Sequence, residues 1–471
     1  MKQRKIISLL ILIVILTGMI PRLAYANTAH INEAYLDLTA RSAILIEERS
    51  GRILYDHNAH QRIYPASTTK VLTALVALEH LEPDDLIVIG REILLVPPGS
   101  SVARHQVSET MTVRNMIRAL IISSGNETSI SVAVNVYRRV SGVHNVNYND
   151  AMEGFMVLMN ERAREIGALN TNFTNPHGFH HDDHYTTAYD MALIIRAAFQ
   201  NQLIRQIAAE STFVGNGADG LAPAGALTQN YDWVSRNLLV VEDSPFFYEY
   251  ATGIKTGFTT PASDTLASSA TRDNINLIAA VFYSPMPGRW NDSIRLFDFG
   301  FNFFDFELVQ ESGVILTDVE VDNVRLGYDN LLDITSNLRH TEFLSRAELG
   351  RLRYEIIFDD EFISPQEEGV RRAIRLMAPI EAGQAVGRIV YTIDDRIIYE
   401  DTVFAAYDIL ERTPESDRAY RLDEFTGRLF SLSGLIYWIG FVIIILLIIF
   451  IVLLIAGRRR SRGYSIRSRR Y

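Results

Sequence analysis

The chain has no cysteine and, among 45 basic residues, only four lysines. The first absence excludes disulfide staples, thiol nucleophiles and Cys-ligated zinc. The second shows that arginine has been used almost wherever a cation is wanted. Acidic residues are missing from both ends. Residues 1 to 26 carry Lys2, Arg4, Lys5 and Arg22, and residues 458 to 471 carry seven arginines, with no acid in either segment. The remainder holds 34 basic against 56 acidic residues, a net charge of −22. A body that acidic repels phosphate backbones, which excludes nucleic acid as the expected partner. At 471 residues and 48% hydrophobic composition, the chain is too long for one core and too apolar to be disordered.

Each end has a membrane signature. Lys2, Arg4 and Lys5 precede an apolar run from Ile6 to Ile20 and then Ala24-Tyr25-Ala26. This is the pattern of an export signal, residues 1–26, cleaved after Ala26. Leu435 to Ala456 is uncharged for 22 residues, about 33 Å as a helix, and is expected to cross a bilayer. The arginines that follow, in a tail at 457–471, are expected to stay in the cytoplasm, where they can meet anionic lipid headgroups, with the body on the other side.

Between the ends, residues 41 to 56 read as a hairpin around Ser50-Gly51. Helical periodicity follows after Lys70 and again over roughly 112 to 140, 150 to 167 and 187 to 209; a strand pattern returns at Leu277 to Tyr283. Strands at both sequence ends of one α/β domain, residues 27–307, therefore enclose a helical middle. Phe297, Phe299, Phe301, Phe303, Phe304 and Phe306 close it and are expected to pack in core or between domains. Short β-type runs over 308–407 predict a small all-β domain, and the polar residues 408–434 read as a stalk.

Three short motifs occur in order: Ser67-Thr68-Thr69-Lys70, Ser124-Gly125-Asn126 and Lys255-Thr256-Gly257. Lys70 lies one helical turn after Ser67, on the same face, where its amine reaches the hydroxyl. A helix start with free N–H groups favours negative charge developing on a substrate oxygen. Lys2 and Lys5 fall in the export signal, so the predicted mature chain keeps only Lys70 and Lys255, one in each of two motifs. An arginine cannot release its proton in a protein, whereas a crowded, buried lysine can, and a general base must.

Together the motifs resemble those of the low-molecular-mass penicillin-binding proteins, serine-type D-alanyl-D-alanine carboxypeptidases. Phe155 to Asn160, Asn175-Pro176-His177-Gly178, His184 to Ala188 and Ala378 to Gln384 look like further landmarks of that family. The resemblance implies an α/β, penicillin-recognising serine transpeptidase/β-lactamase-like domain: an antiparallel sheet with a helical insert, then a small all-β domain and a C-terminal transmembrane helix. It implies removal of the terminal D-alanine from peptidoglycan stem pentapeptides, with β-lactams as covalent inhibitors and no metal or cofactor. Residue by residue, it makes Ser67 the nucleophile, Lys70 its base and Ser124 a proton relay with Lys255. Asn126 would hold the peptide, and the N–H groups of Ser67 and Phe258 would form the oxyanion hole. Lys255, Thr256 and Gly257 would line the carboxylate end, with Arg289 as the carboxylate-binding arginine. Two places depart from the family pattern: Glu127-Thr128, where Asp-Ala is more usual, and Pro261-Ala262-Ser263-Asp264, in place of an Ala-Gly pair.

Rival readings are weaker. A β-lactamase of the commonest class needs Glu-x-x-Leu-Asn, and here Ile166 occupies the Glu position before Leu169-Asn170. A DD-endopeptidase would keep every residue named above. His177, His180, His181 and His184 with Asp182 and Asp183 offer metal-type ligands, yet they sit in what looks like the family's ordinary loop. A membrane-tethered wall-binding scaffold with a spent site has no reason to retain both motif lysines.

Overall fold

The computed structural model describes residues 36–365 and 373–461 and divides after Phe303 into two compact units. The expected export signal and the arginines beyond residue 461 lie outside the described residues.

The first unit is built on a five-stranded antiparallel sheet. The hairpin expected at 41–56 forms β1 (Ser42–Glu47) and β2 (Ile53–His57). After it, the 3-10 turn Ala66–Thr69 runs into α1 (Lys70–His80). Val71 to Ala77 are all buried, so α1 is a core helix wrapped on every side, and it stops just before Glu82-Pro83, where helical backbone is disfavoured. A small ribbon of β3 (Leu86–Val88) and β4 (Thr110–Thr112) leads to α2 (Val113–Arg118). The helical pattern expected to continue to 140 is interrupted: a π turn at Ala119–Ser123 ends on Ser124, whose φ of 64° is left-handed, and the chain restarts as α3 (Asn126–Ser141). α4 (Tyr148–Ile166) follows. The last helical stretch is also split, into α5 (Ala188–Ala198) and α6 (Gln202–Ala208), because Asn201 accepts from the N–H groups of Leu203 and Ile204 and starts a new helix.

A second ribbon, β5 (Thr212–Asn216) with β6 (Asn230–Val234), precedes the sheet's return strands. These are β7 (Ala251–Thr259), β8 (Ser263–Arg272) and β9 (Ile275–Ser284), giving the order β2-β1-β9-β8-β7. β9 is central and nearly all buried because α5 and α7 (Gly288–Phe303) pack against it, which is why its sequence is a continuous apolar run. Phe297, Phe299 and Phe301 of α7 are buried.

The second unit contains a β10 (Phe304–Gln310) and β13 (His340–Ser345) pair and a six-stranded sheet in the order β14-β16-β17-β12-β11-β15. Its strands are β11 (Ile315–Asp322), β12 (Leu331–Thr335), β14 (Arg353–Phe358), β15 (Leu376–Met377), β16 (Ala385–Ile393) and β17 (Arg396–Ala405), with α8 (Arg346–Arg351) between β13 and β14. The polar segment read as a stalk is largely helical. α9 (Pro414–Leu429) starts with Pro414 behind a Thr413–Ser416 capping box. α10 (Leu432–Ser461) contains the apolar stretch Ser433–Ala456, long and apolar enough to cross a membrane.

One buried carboxylate ties the two chain ends of the first unit's sheet together. Asp292 on α7, fully buried, accepts from the Ala40 N–H (2.9 Å), the Thr39 N–H (3.1 Å) and the Thr39 hydroxyl (2.8 Å), just before β1 begins. An amide at this position loses one accepting oxygen and places an N–H against N–H donors. Asp292→Asn is therefore expected to cost about 2–3 kcal/mol, read as a fall in thermal melting temperature; an unchanged melt would remove Asp292 from the fold's essential ties.

Candidate active site

The three motifs converge where α1, the start of α3 and the edge strand β7 meet. Ser67 sits in the 3-10 turn before α1, and Gly257 on β7 is what lets the strand come so close. A Cβ there would stand 2.8 Å from the Ser67 backbone nitrogen and 2.4 Å from the Thr265 hydroxyl. Gly178 (φ +83°) seals the other side, since a Cβ would fall 1.8 Å from the Ala66 carbonyl oxygen.

Lys70 is fully buried, and its amine has three neighbours. Nζ lies 2.9 Å from Ser67 Oγ, 2.7 Å from Asn126 Oδ1 and 2.7 Å from the His177 carbonyl oxygen. Two of these are carbonyl acceptors that cannot donate. A neutral amine donates its two N–H bonds to them and is left with its lone pair directed at the Ser67 hydroxyl. Burial supplies the neutral form: it lowers the Lys70 pKa to about 7, against an opposing pull from the Glu127 charge. Lys255 is equally withdrawn from water, and its amine donates to the Thr256 carbonyl at 2.9 Å. Burial first, then the positive charges of Lys70, Arg236 and Arg289, hold it well below the usual amine range.

The left-handed turn at Ser124 puts the second motif against this centre. Ser124 is 3% exposed, lines the cleft, and its hydroxyl has no hydrogen-bond partner among the described residues. Asn126 donates through Nδ2 to Ser100 Oγ (3.0 Å), which fixes its Oδ1 toward Lys70. Two open cavities meet at Ser67. One, about 590 Å³, is lined by Ser67, Ser124, Arg236, Thr256, Arg289 and Trp290. The other, about 450 Å³, is lined by Asn126, Phe179, His180 and Thr260 as well as Ser67. Phe258 is 63% exposed and borders both. All nine residues expected in the site are therefore within one cleft or directly behind it.

The departures at Glu127 and Thr128 have structural partners. Glu127 is buried and accepts from the N–H groups of Ala103 (2.5 Å) and Arg104 (2.8 Å), which pins the cleft-wall loop to α3; burial pushes its carboxyl up. The Thr128 hydroxyl meets His105 Nε2 at 2.7 Å; His105 Nδ1 lies 2.9 Å from the Tyr231 hydroxyl, which donates to Glu109. Three histidines of the 177–184 loop have partners within the protein, while His180 Nδ1 is buried without one among the described residues. His184 accepts the Thr174 N–H and lies 2.9 Å from Thr69 Oγ1, and burial lowers its pKa to about 3. His177 and His181 accept the N–H groups of Phe179 and Asp183.

Sequence reasoning missed Arg236. It lines the cavity beside Ser124 and Thr256 and has no acidic partner among the described residues. In a chain with 41 arginines nothing local distinguishes it. Arg289, by contrast, is already paired: Nη1 lies 2.6 Å from Asp264 Oδ1 and donates to the Gly257 carbonyl at 3.2 Å.

With this geometry in view, the family assignment is direct. Residues 27–285 match the Peptidase_S11 model, D-alanyl-D-alanine carboxypeptidase. The chain belongs to this family. It is 28% identical over 414 residues to D-alanyl-D-alanine carboxypeptidase DacF of Bacillus subtilis, covering 86% of this chain and 95% of that protein. It is 26% identical over 443 residues to DacA of Escherichia coli, covering 88% and 95%. Among solved structures, penicillin-binding protein 5 of Haemophilus influenzae matches at TM-score 0.56 and 25% identity over 80% of this chain and 99% of that one. The Streptomyces K15 DD-transpeptidase matches in fold at TM-score 0.51 and 24% identity, over 57% of this chain and 98% of that one.

The two lysines give a paired test. Lys70→Arg keeps the charge but removes the lone pair, so β-lactam acylation should fall by about 10²–10⁴ with the melt preserved. Lys255→Arg should cause a smaller loss, because the Lys255 amine donates to the Thr256 carbonyl rather than meeting Ser67, and an arginine can also donate there. Similar mild losses in both would show that Lys70 is not the base.

Proposed function

We propose that the chain is a membrane-anchored serine-type D-Ala-D-Ala carboxypeptidase that removes the terminal D-alanine of peptidoglycan stem pentapeptides through an acyl-enzyme on Ser67. The observation that carries the reading is the Lys70 amine, held against Ser67 Oγ with two carbonyl acceptors behind it. Ser67 Oγ attacks the penultimate D-alanine carbonyl while Lys70 takes its proton. The oxyanion forms beside the N–H groups of Ser67 and Phe258, which Gly257 brings near each other. The proton reaches the departing amine through Ser124 and Lys255, and D-alanine leaves. Water then hydrolyses the ester by the reverse proton route. The leaving carboxylate would lie in the cavity with Thr256, Arg236 and Arg289, and the preceding residues of the stem peptide in the cavity with Asn126 and Phe179. β-Lactams enter the same cleft and stop at the acyl stage.

The helix containing Ser433–Ala456 supports a single C-terminal anchor, with Arg458, Arg459 and Arg460 directly after the apolar stretch. That charge order favours a cytoplasmic C-terminus and an extracytoplasmic catalytic unit, with the tail arginines near anionic lipid.

The test is a pair of measurements on the full chain in detergent. Intact mass after benzylpenicillin should show one adduct, absent in Ser67→Ala, and a pentapeptide ending in D-Ala-D-Ala should release free D-alanine. Because the neutral amine is the active form, the acylation rate should rise with pH through about 7. A folded protein that forms no adduct and releases no D-alanine would overturn the reading.

A further inference from the structure

The arginine expected to receive the substrate carboxylate is not a bare cation. Arg289 and Asp264 are 11% and 12% exposed in their side chains, with Nη1 and Oδ1 2.6 Å apart. Asp264 lies on β8 opposite Phe258 of β7, and Arg289 is its side chain's one polar partner among the described residues. Asp264 does not line the cleft, whereas Arg289 does. The acid therefore stands behind the arginine rather than in the substrate's place. In so dry a setting the acid holds Nη1 for itself, and an approaching carboxylate meets a guanidinium with one nitrogen already committed to Asp264.

The other groups at this end do not replace the committed nitrogen. Lys255 is buried with its amine donating to the Thr256 carbonyl, and burial disfavours its charged form. Arg236 is the remaining full cation lining this cavity. Arg289 Nη1 is further engaged by the Gly257 carbonyl, and its Nε is buried without a partner. The guanidinium is thus anchored toward the sheet through one nitrogen.

Resting on the carboxypeptidase reading, we propose that Asp264 is a specificity-determining residue. By holding Arg289 in an ion pair it weakens the cleft's preference for a free terminal carboxylate, so that D-Ala-D-Ala peptides ending in an uncharged amide are disfavoured less than a bare Arg289 would make them.

The experiment compares two acylated D-Ala-D-Ala peptides, one with a terminal carboxylate and one with a terminal carboxamide, on the full chain in detergent. The readout is the ratio of their kcat/KM values. Asp264→Asn should raise the carboxylate-to-amide ratio about tenfold, mainly by lowering KM for the carboxylate peptide. In an Arg289→Gln background, the same Asp264 change should move the ratio less than about twofold, because Asp264 acts through Arg289. Should Asp264→Asn lack a cooperative melt, Asp264→Ser is read in its place. A ratio that stays the same or falls in the folded Asp264 variant would overturn the proposal, leaving Asp264 as a structural tie for Arg289. If the wild-type chain neither releases D-alanine nor is acylated by benzylpenicillin, the carboxypeptidase reading fails and this proposal fails with it. An active wild type with an unmoved ratio sinks the proposal alone.

Discussion

A lysine amine kept out of water is the constraint on which the site depends. An ammonium in the position of Lys70 would donate to all three of its neighbours, Ser67 included, and no lone pair would remain for the hydroxyl proton. Withdrawal from solvent tips the balance to the neutral amine, and the carbonyl oxygens of Asn126 and His177 then orient it. The rest of the catalytic unit can be read as what it takes to bury one amine beside one hydroxyl. α1 is buried on all sides so that Lys70 is enclosed at its first turn. Gly178 and Gly257 admit backbone where any side chain would hold the walls apart.

The same economy of space sets the electrostatics. Lys255, the second buried amine, lies near enough to Lys70 for the Lys70 charge to add to burial in holding it well below the usual amine range. Glu127 opposes this, raising the Lys70 pKa through its charge while its carboxylate pins the 103–104 backbone. At the carboxylate end Asp264 moderates Arg289 in a comparable way. Among the described residues, the cations beside the nucleophile other than Arg236 are thus either pushed toward the neutral form by burial or paired with an acid.

Much of this was legible in the sequence, and the reason is chemical. A chain that uses arginine nearly everywhere but keeps lysine at positions 70 and 255 singles out those amines as the candidates for proton transfer. The hairpin, the core helix after Ser67 and the apolar strand β9 follow from periodicity and from burial on both faces. What periodicity does not carry is a local backbone reversal. The left-handed Ser124 breaks a helical pattern whose apolar spacing continues through it, and Asn201 splits another by capping. Nor does it carry pairings across the fold. The His177 carbonyl behind Lys70 is a backbone atom 107 residues away, invisible in any residue pattern. The Asp264–Arg289 pair joins a strand to the start of a helix. Arg236 is one arginine among 41.

The central claim, a neutral Lys70 at physiological pH, is open to direct observation because lysine is so scarce. With ¹⁵N-labelled lysine in the full chain, at most four side-chain amines contribute signals, and loss of one in Lys70→Arg assigns it. Titrating that ¹⁵Nζ resonance should give a midpoint near 7, more than three units under a solvent-exposed lysine at about 10.4. A Lys70 midpoint at the ordinary lysine value would contradict the account, since the amine would then be an ammonium at neutral pH with no lone pair to take the Ser67 proton.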